Sequence, residues 1–207
     1  MKTYTDEVYL SWLDELAQKD FVVIDNYLSE DLYTRLFHFF EAKRKENELS
    51  KAGIGALGEY TIASEIRGDY VYWLNPDTDI ELKPIQSQLN ELVNMVNRYL
   101  FLSISDFEYH LAYYPEKTFY HKHLDQFKQR NNRQLSFVLY LNSNWEIGDG
   151  GELRIFREDG EIDIQPVKNR LILFKSSVVE HEVLLTSKGR YSLTGWMLNN
   201  PVGIGFL

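Results

Sequence analysis

The chain has 207 residues, enough for one sizeable core, and a single domain over 1–207 is expected, with helical support over about 1–103 and a β core over about 104–198. A formal net charge of −9 argues against nucleic acid as the main partner, because such binding needs clustered Lys and Arg. The absence of cysteine excludes disulfides and thiolate metal sites, and with no apolar leader and no run of about eighteen apolar residues the expectation is a cytoplasmic protein without a membrane partner.

Residues 6–18 place Val8, Tyr9, Trp12, Leu13 and Leu16 at helical spacing, which predicts a short amphipathic helix. Phe21-Val22-Val23-Ile24 is a β-rich run, closed by the turn-prone pair Asp25-Asn26. Ser29 has the chemistry of an N-cap, with Glu30 and Asp31 where the helix dipole favours negative charge. Leu32, Leu36, Phe37, Phe39 and Phe40 give the following helix its apolar stripe, and His38 beside them reads as structural. The basic run Lys43-Arg44-Lys45 reads as that helix's solvated end. Gly53-Ile54-Gly55-Ala56-Leu57-Gly58 satisfies G-x-G-x-x-G, a pattern that binds dinucleotides when it leaves a strand and opens a helix. Here it follows a helix and runs into Arg67–Trp73, a predicted strand, so a mobile loop is the better reading. A long helix should start near Pro84 and carry Ile85, Leu89, Leu92, Val93, Val96 and Leu100 on one face.

From about residue 104 the period changes to alternation. Candidate strands are 106–114, 119–123, 133–142, 152–156, 161–165, 170–174, 181–185 and 190–198, with turn chemistry at Asn142-Ser143-Asn144, Gly148-Asp149-Gly150-Gly151 and Asp159-Gly160. Eight short strands at this spacing suggest a mainly β sandwich or barrel, with the N-terminal amphipathic helices packed on one outer face.

The densest chemistry lies in Phe119-Tyr120-His121-Lys122-His123-Leu124-Asp125. Residues two apart share a strand face, so His123 and Asp125 can reach one cation, with His181 as the only downstream histidine to complete the set. Two imidazoles and one carboxylate leave open coordination positions and suit non-haem Fe(II) oxygen chemistry. His121 also shares that alternation and keeps a cupin-like H-x-H open. The cupin pattern wants a glutamate soon after, and Leu124 to Gln129 offers only Asp125. Arg190, Ser192, Thr194 and Trp196 alternate along one strand, as do His110, Ala112 and Tyr114.

Between Tyr113 and Leu198 the chain resembles the prolyl 4-hydroxylase-like 2-oxoglutarate/Fe(II) oxygenases, and especially the oxygen-sensing prolyl hydroxylases and their bacterial relatives. The resemblance is carried by Tyr114-Pro115, His123-Leu124-Asp125, Tyr140-Leu141-Asn142, Gly150-Gly151-Glu152-Leu153-Arg154-Ile155-Phe156, Asn169-Arg170-Leu171-Ile172-Leu173-Phe174, His181-Glu182-Val183 and Arg190-Tyr191-Ser192, with Arg67-Gly68-Asp69 and Trp73 upstream. It implies a double-stranded β-helix (jelly-roll) core. It implies iron on His123, Asp125 and His181, and 2-oxoglutarate chelating that iron with its distal carboxylate on Arg190, nine positions after His181. Tyr140, Ser192, Thr194 and Tyr114 belong to the same co-substrate pocket by resemblance. Arg67, Asp69, Trp73, Arg133 and Trp196 match the substrate entrance, although Arg67 and Asp69 would equally serve by pairing to hold the preceding loop. The implied activity is hydroxylation of a prolyl residue in a protein with release of succinate and CO₂, using O₂ and with ascorbate as a candidate addition. Some bacterial relatives are associated with elongation factor Tu. Free amino acids or other small molecules, and a non-enzymatic cupin-type metal-binding module, are the alternatives. A nucleic-acid dealkylase would carry a second arginine shortly after the first, where this chain has Trp196.

Overall fold

The N-terminal elements form where the helical and extended patterns of the sequence change over. The computed structural model describes residues 2–53, 66–126 and 131–200. Helix α1 (Asp6–Lys19) is closed by Asp20 in the left-handed region, whose N–H returns to Leu16 O. Strand β1 (Phe21–Ile24) follows at once. Ser29 caps helix α2 (Glu30–Lys45) by accepting from the Leu32 N–H, and Lys43, Arg44 and Lys45 fill its last turn, where the dipole favours cations. A two-residue strand, β2 (Ser50–Lys51), pairs with β3 (Tyr70–Trp73). The expected strand over Arg67–Trp73 is shorter: Arg67 makes an isolated bridge to Tyr120 and the Gly68 N–H donates to Phe119 O, and only from Tyr70 does the chain pair within the larger sheet as β3. Residues Ile54 to Gly58 of the glycine motif, and with them most of the mobile loop expected there, lie outside the described residues. After a 3-10 turn at Ile80–Leu82, helix α3 runs over Lys83–Leu100 with Pro84 in its first turn.

Eight strands follow: β4 (Asp106–Tyr114), β5 (Tyr120–His123), β6 (Arg133–Tyr140), β7 (Leu153–Arg157), β8 (Gly160–Ile164), β9 (Leu171–Lys175), β10 (His181–Val183) and β11 (Arg190–Leu198). They agree with the expected strands to within about two residues. Two sheets result, one of seven strands in the order β1-β9-β6-β11-β4-β3-β2 and one of four in the order β5-β10-β7-β8. The chain passes back and forth between them, β4, β6, β9 and β11 in the larger and β5, β7, β8 and β10 in the smaller. This is the double-stranded β-helix, mainly antiparallel β with helices on one side.

Alternation decides which side chain meets which layer. Leu135, Phe137 and Leu139 of β6 join Leu171, Leu173, Leu193 and Met197 in a core shared with Leu13, Leu16, Leu36, Phe40, Leu89 and Leu92 of the three helices. Val138 and Tyr140, on the other face of β6, join Ala112, Tyr114, Leu153, Ile155, Ile172 and Phe174 inside the barrel. The helices therefore back the larger sheet, and that sheet's inner face is free to carry chemistry. No helix among the described residues is long and apolar enough to cross a membrane.

One residue on the helix-facing side of β11 has no side chain. A Cβ at Gly195 would stand 2.5 Å from Glu108 O and 2.8 Å from Phe137 Cε1, so glycine lets the Phe137 ring lie against the strand. We expect Gly195→Ala to lower unfolding free energy by about 2 kcal/mol or more, as overpacking does in a closed core. Urea denaturation checks it, and a midpoint equal to wild type would contradict the packing described.

Candidate active site

A cavity of about 560 Å³ opens between the two sheets. His123 on β5 and His181 on β10 are direct cross-strand partners in the smaller sheet, and their ring centroids lie 4.3 Å apart. Asp125 follows the end of β5, its Oδ1 3.5 Å from His123 Nε2 and its Oδ2 3.7 Å from His181 Nε2. One donor atom from each of the three lies within 4.8 Å of the others, so the group is able to hold one metal ion.

The neighbours explain why these donors face inward. His123 Nδ1 is 2.7 Å from His121 O and His181 Nδ1 is 3.0 Å from Val179 O. A carbonyl only accepts, so each Nδ1 carries the hydrogen and each Nε2 presents a lone pair, the tautomer a metal requires. Tyr120 stacks on His123 at 3.7 Å between centroids, and Phe174 meets His181 edge-on at 4.7 Å. Burial, with the His123 ring beside it, pushes the pKa of His181 down to about 4, which keeps it neutral. Burial works against ionised Asp125, but His181, His123 and the Ser136 hydroxyl outweigh it and hold the carboxyl well below the usual range.

His121 does not join this group. Val183 pairs with Tyr120 and His181 with His123, so β5 spends three steps where β10 spends two. That bulge puts Tyr120 and His123 on the inner face and turns His121 out at the rim, ring to ring with Phe119. The alternation that let His121 share the face of His123 is broken by one residue.

At the other end of the cavity lies Arg190, 3% exposed, opposite Tyr114 on β4. Its Nε donates to Gly151 O at 2.8 Å, and its guanidinium carbon stands 4.9 Å from the ring centres of both Tyr114 and Tyr140. Among the described residues no carboxylate pairs with it. Gly151 has φ +74°, and a Cβ there would come within 3.0 Å of Arg190 Cδ, so this glycine is both acceptor and clearance for the side chain. Among the described residues the buried Tyr140 hydroxyl has no hydrogen-bond partner, and burial raises its pKa although Arg190 pulls the other way. Ser192 Oγ and Thr194 Oγ1 are 3.1 Å apart on the same face of β11, Thr194 reaching the cavity and Ser192 lying fully buried behind it.

A sequence model of the 2OG-Fe(II) oxygenase superfamily matches residues 109–198. The chain is 36% identical to a prolyl-4-hydroxylase of Pseudomonas putida, over 93% of this chain and 100% of that one, with a TM-score of 0.85. The chain belongs to the 2OG-Fe(II) oxygenase superfamily. A Trichoplax adhaerens prolyl hydroxylase, solved with a hypoxia-inducible-factor peptide fragment, is 25% identical over 94% of this chain and 90% of its own, also with a TM-score of 0.85. A prolyl 4-hydroxylase of Phytophthora capsici shares the fold, with 21% identity over 97% of this chain and 69% of its own and a TM-score of 0.72. This protein is thus a prolyl-hydroxylase-like, 2-oxoglutarate-dependent dioxygenase, and its superfamily uses Fe(II), 2-oxoglutarate and O₂. The donor set fits: two imidazoles and a carboxylate suit Fe(II), and a buried guanidinium without an acid partner among the described residues suits a dicarboxylate.

The residues that match a substrate entrance by resemblance fall into two sets. Trp73, Arg133 and Trp196 line the cavity with Arg67, and Arg133 lays its guanidinium 3.4 Å from the centre of the Trp196 ring. Arg133 also donates to Glu108 at 2.9 Å and to Asp125 O at 3.3 Å, which ties the mouth to the metal-capable group. Asp69 stands behind the wall, fully buried, and takes Arg67 in two parallel hydrogen bonds of 2.7 and 2.6 Å. Sequence reasoning missed Ser136, and the one available signal was a small polar residue on the face of β6 that also carries Val138 and Tyr140.

Removing one partner of a buried ion pair leaves the other charge uncompensated. Asp69→Asn should therefore cost about 3 kcal/mol of folding stability. Chemical denaturation reads it directly, and a loss no larger than that of an exposed pair such as Lys19–Glu15 would mean that Arg67 finds another partner.

Proposed function

We propose that this oxygenase hydroxylates a prolyl residue in a protein chain, converting 2-oxoglutarate and O₂ to succinate and CO₂. In this reading His123, Asp125 and His181 hold Fe(II), and Arg190, with Tyr140, Ser192, Thr194 and Tyr114 around it, holds the distal carboxylate of 2-oxoglutarate. When bound, the iron and 2-oxoglutarate together supply the oxidising power, and no protein side chain has to act as acid or base. The side chains hold geometry: the carbonyl-tied imidazoles keep Nε2 on the metal, and the aromatic walls restrict water. Ascorbate enters as the expected reductant.

The observation that carries the reading is Arg190, nearly fully buried, opening on the same cavity as the triad and lacking any acid among the described residues. A buried unpaired cation is costly, and a ligand carboxylate relieves that cost. Arg67 and Arg133, by contrast, are already paired with Asp69 and Glu108. Among the described residues Arg190 thus offers a place for a carboxylate, suited to the co-substrate, and the cavity's mouth favours an uncharged main-chain segment over the free carboxylate of an amino acid. The relative from Trichoplax adhaerens, solved with a peptide, supports the same class. Trp73, 51% exposed beside Trp196, offers an apolar surface to such a chain. Elongation factor Tu is the first candidate substrate to test, and neither nucleic acid nor membrane enters the proposal.

Arg190→Lys should raise the KM for 2-oxoglutarate roughly ten- to hundredfold, because an ammonium replaces a two-pronged donor. Succinate release with and without candidate proteins, alongside mass spectrometry for one added oxygen atom, measures the whole reaction. Unchanged 2-oxoglutarate affinity in this variant, or no affinity in the wild type, would refute the assignment.

A further inference from the structure

Between the Arg190 end and the mouth, the inner face of β4 carries one polar side chain that the reading above leaves idle. His110 stands opposite Thr194 on β11 and Trp73 on β3. It lines the cavity but is only 2% exposed. Two indoles hold its ring, with centroids 4.7 Å away at Trp73 and 5.6 Å away at Trp196. Burial, and then the Arg67 cation, push its pKa down to about 3, so the imidazole is neutral and offers one donor and one acceptor. Neither ring nitrogen has a hydrogen-bond partner among the described residues, and Nδ1 is wholly enclosed. The indole Nε1 of Trp196 is likewise buried and unpartnered.

Proteins rarely leave a buried donor or acceptor unmet, and two such groups on one wall of one cavity point to a ligand that meets them. The ligand's chemistry follows from the surroundings. Arg67 and Arg133 flank this wall, and each already faces a carboxylate, so a further ion gains little there. A neutral group with both a donor and an acceptor fits, which is the chemistry of a peptide amide. Trp73 lies against the imidazole at a tilt yet is half exposed, so an arriving chain can displace that indole without opening the core.

Resting on the peptide reading above, we propose that His110 is a specificity-determining residue that accepts a hydrogen bond from a main-chain N–H beside the oxidised residue, while Trp196 Nε1 donates to a neighbouring main-chain carbonyl. His110 then separates main-chain amides from apolar groups of similar size, a task the two neighbouring indole rings do not perform.

The test pairs two substitutions with opposite chemistry. His110→Phe keeps an aromatic ring against the two indoles and loses both nitrogens, whereas His110→Gln loses the ring and keeps a donor and an acceptor. Each Mn(II)-loaded protein, saturated with 2-oxoglutarate, is titrated with N-acetyl-glycyl-prolyl-glycinamide and followed by tryptophan fluorescence and calorimetry. We expect His110→Phe to weaken tripeptide binding about tenfold with 2-oxoglutarate affinity unchanged, and His110→Gln to stay close to wild type. Should His110→Phe fail to fold, His110→Met is read in its place with the same expectation. The reverse order, with the Phe variant like wild type and the Gln variant impaired, would overturn the proposal in favour of packing. Parallel losses of tripeptide and 2-oxoglutarate binding would overturn it too, as would absence of saturable tripeptide binding to the wild type. A wild type that fails to bind 2-oxoglutarate would instead end the oxygenase assignment of the pocket, on which this inference rests.

Discussion

The register of two short strands governs the site. His123 and His181 face each other because β5 and β10 pair at that step, and the bulge in β5 puts Tyr120, rather than His121, beside His123 on the inner face. A slip of one residue in either strand would send an imidazole to the outer face, and three donors would no longer converge. Strands this brief hold few ladder hydrogen bonds of their own. Their register is reinforced from outside, by the Arg67–Tyr120 bridge on one side and by β7 pairing with β10 on the other. The Arg67–Asp69 pair thereby acts on the metal-capable group from a distance, through the edge of β5.

The larger sheet has a different mechanical basis. Its outer face is covered by three helices and its strands β4, β6 and β11 run eight or nine residues, so the row from Arg190 to Trp196 sits on a long, backed surface. Along that row the side chains pass from a buried cation, through hydroxyls, to an indole at the mouth. A flexible dicarboxylate and a bulky chain segment need different things, and the row supplies them in order. Charge pairing sharpens the contrast: among the described residues the guanidinium deepest in the cavity has no acid, and those nearer the opening have theirs.

Much of this was legible beforehand because period and chemistry coincide. Alternation located the eight later strands, Ser29 and Pro84 marked helix starts, and His123, Asp125, His181 and Arg190 carried both residue type and spacing. What escaped was set by tertiary contacts. The bulge that removes His121 depends on pairing with a strand sixty residues away. Gly151 looked like ordinary turn chemistry, and only its nearness to Arg190 Cδ reveals it as clearance for that side chain. β3 is shorter than the pattern suggests because the backbone at Arg67 and Gly68 bonds to Tyr120 and Phe119, and only from Tyr70 does it join β4.

His110 marks the boundary of what pattern alone conveys. Its alternation with Ala112 and Tyr114 placed it on the inner face, but a histidine there reads equally well as packing. The deciding property is negative: a buried polar ring beside two indoles with nothing to bond among the described residues, which no sequence spacing encodes. A core histidine whose only task is packing could be replaced by phenylalanine and leave no orphaned nitrogen. That an imidazole is kept where its polarity goes unmet, on the wall that a target must approach, ties its cost to the bound state rather than to the fold.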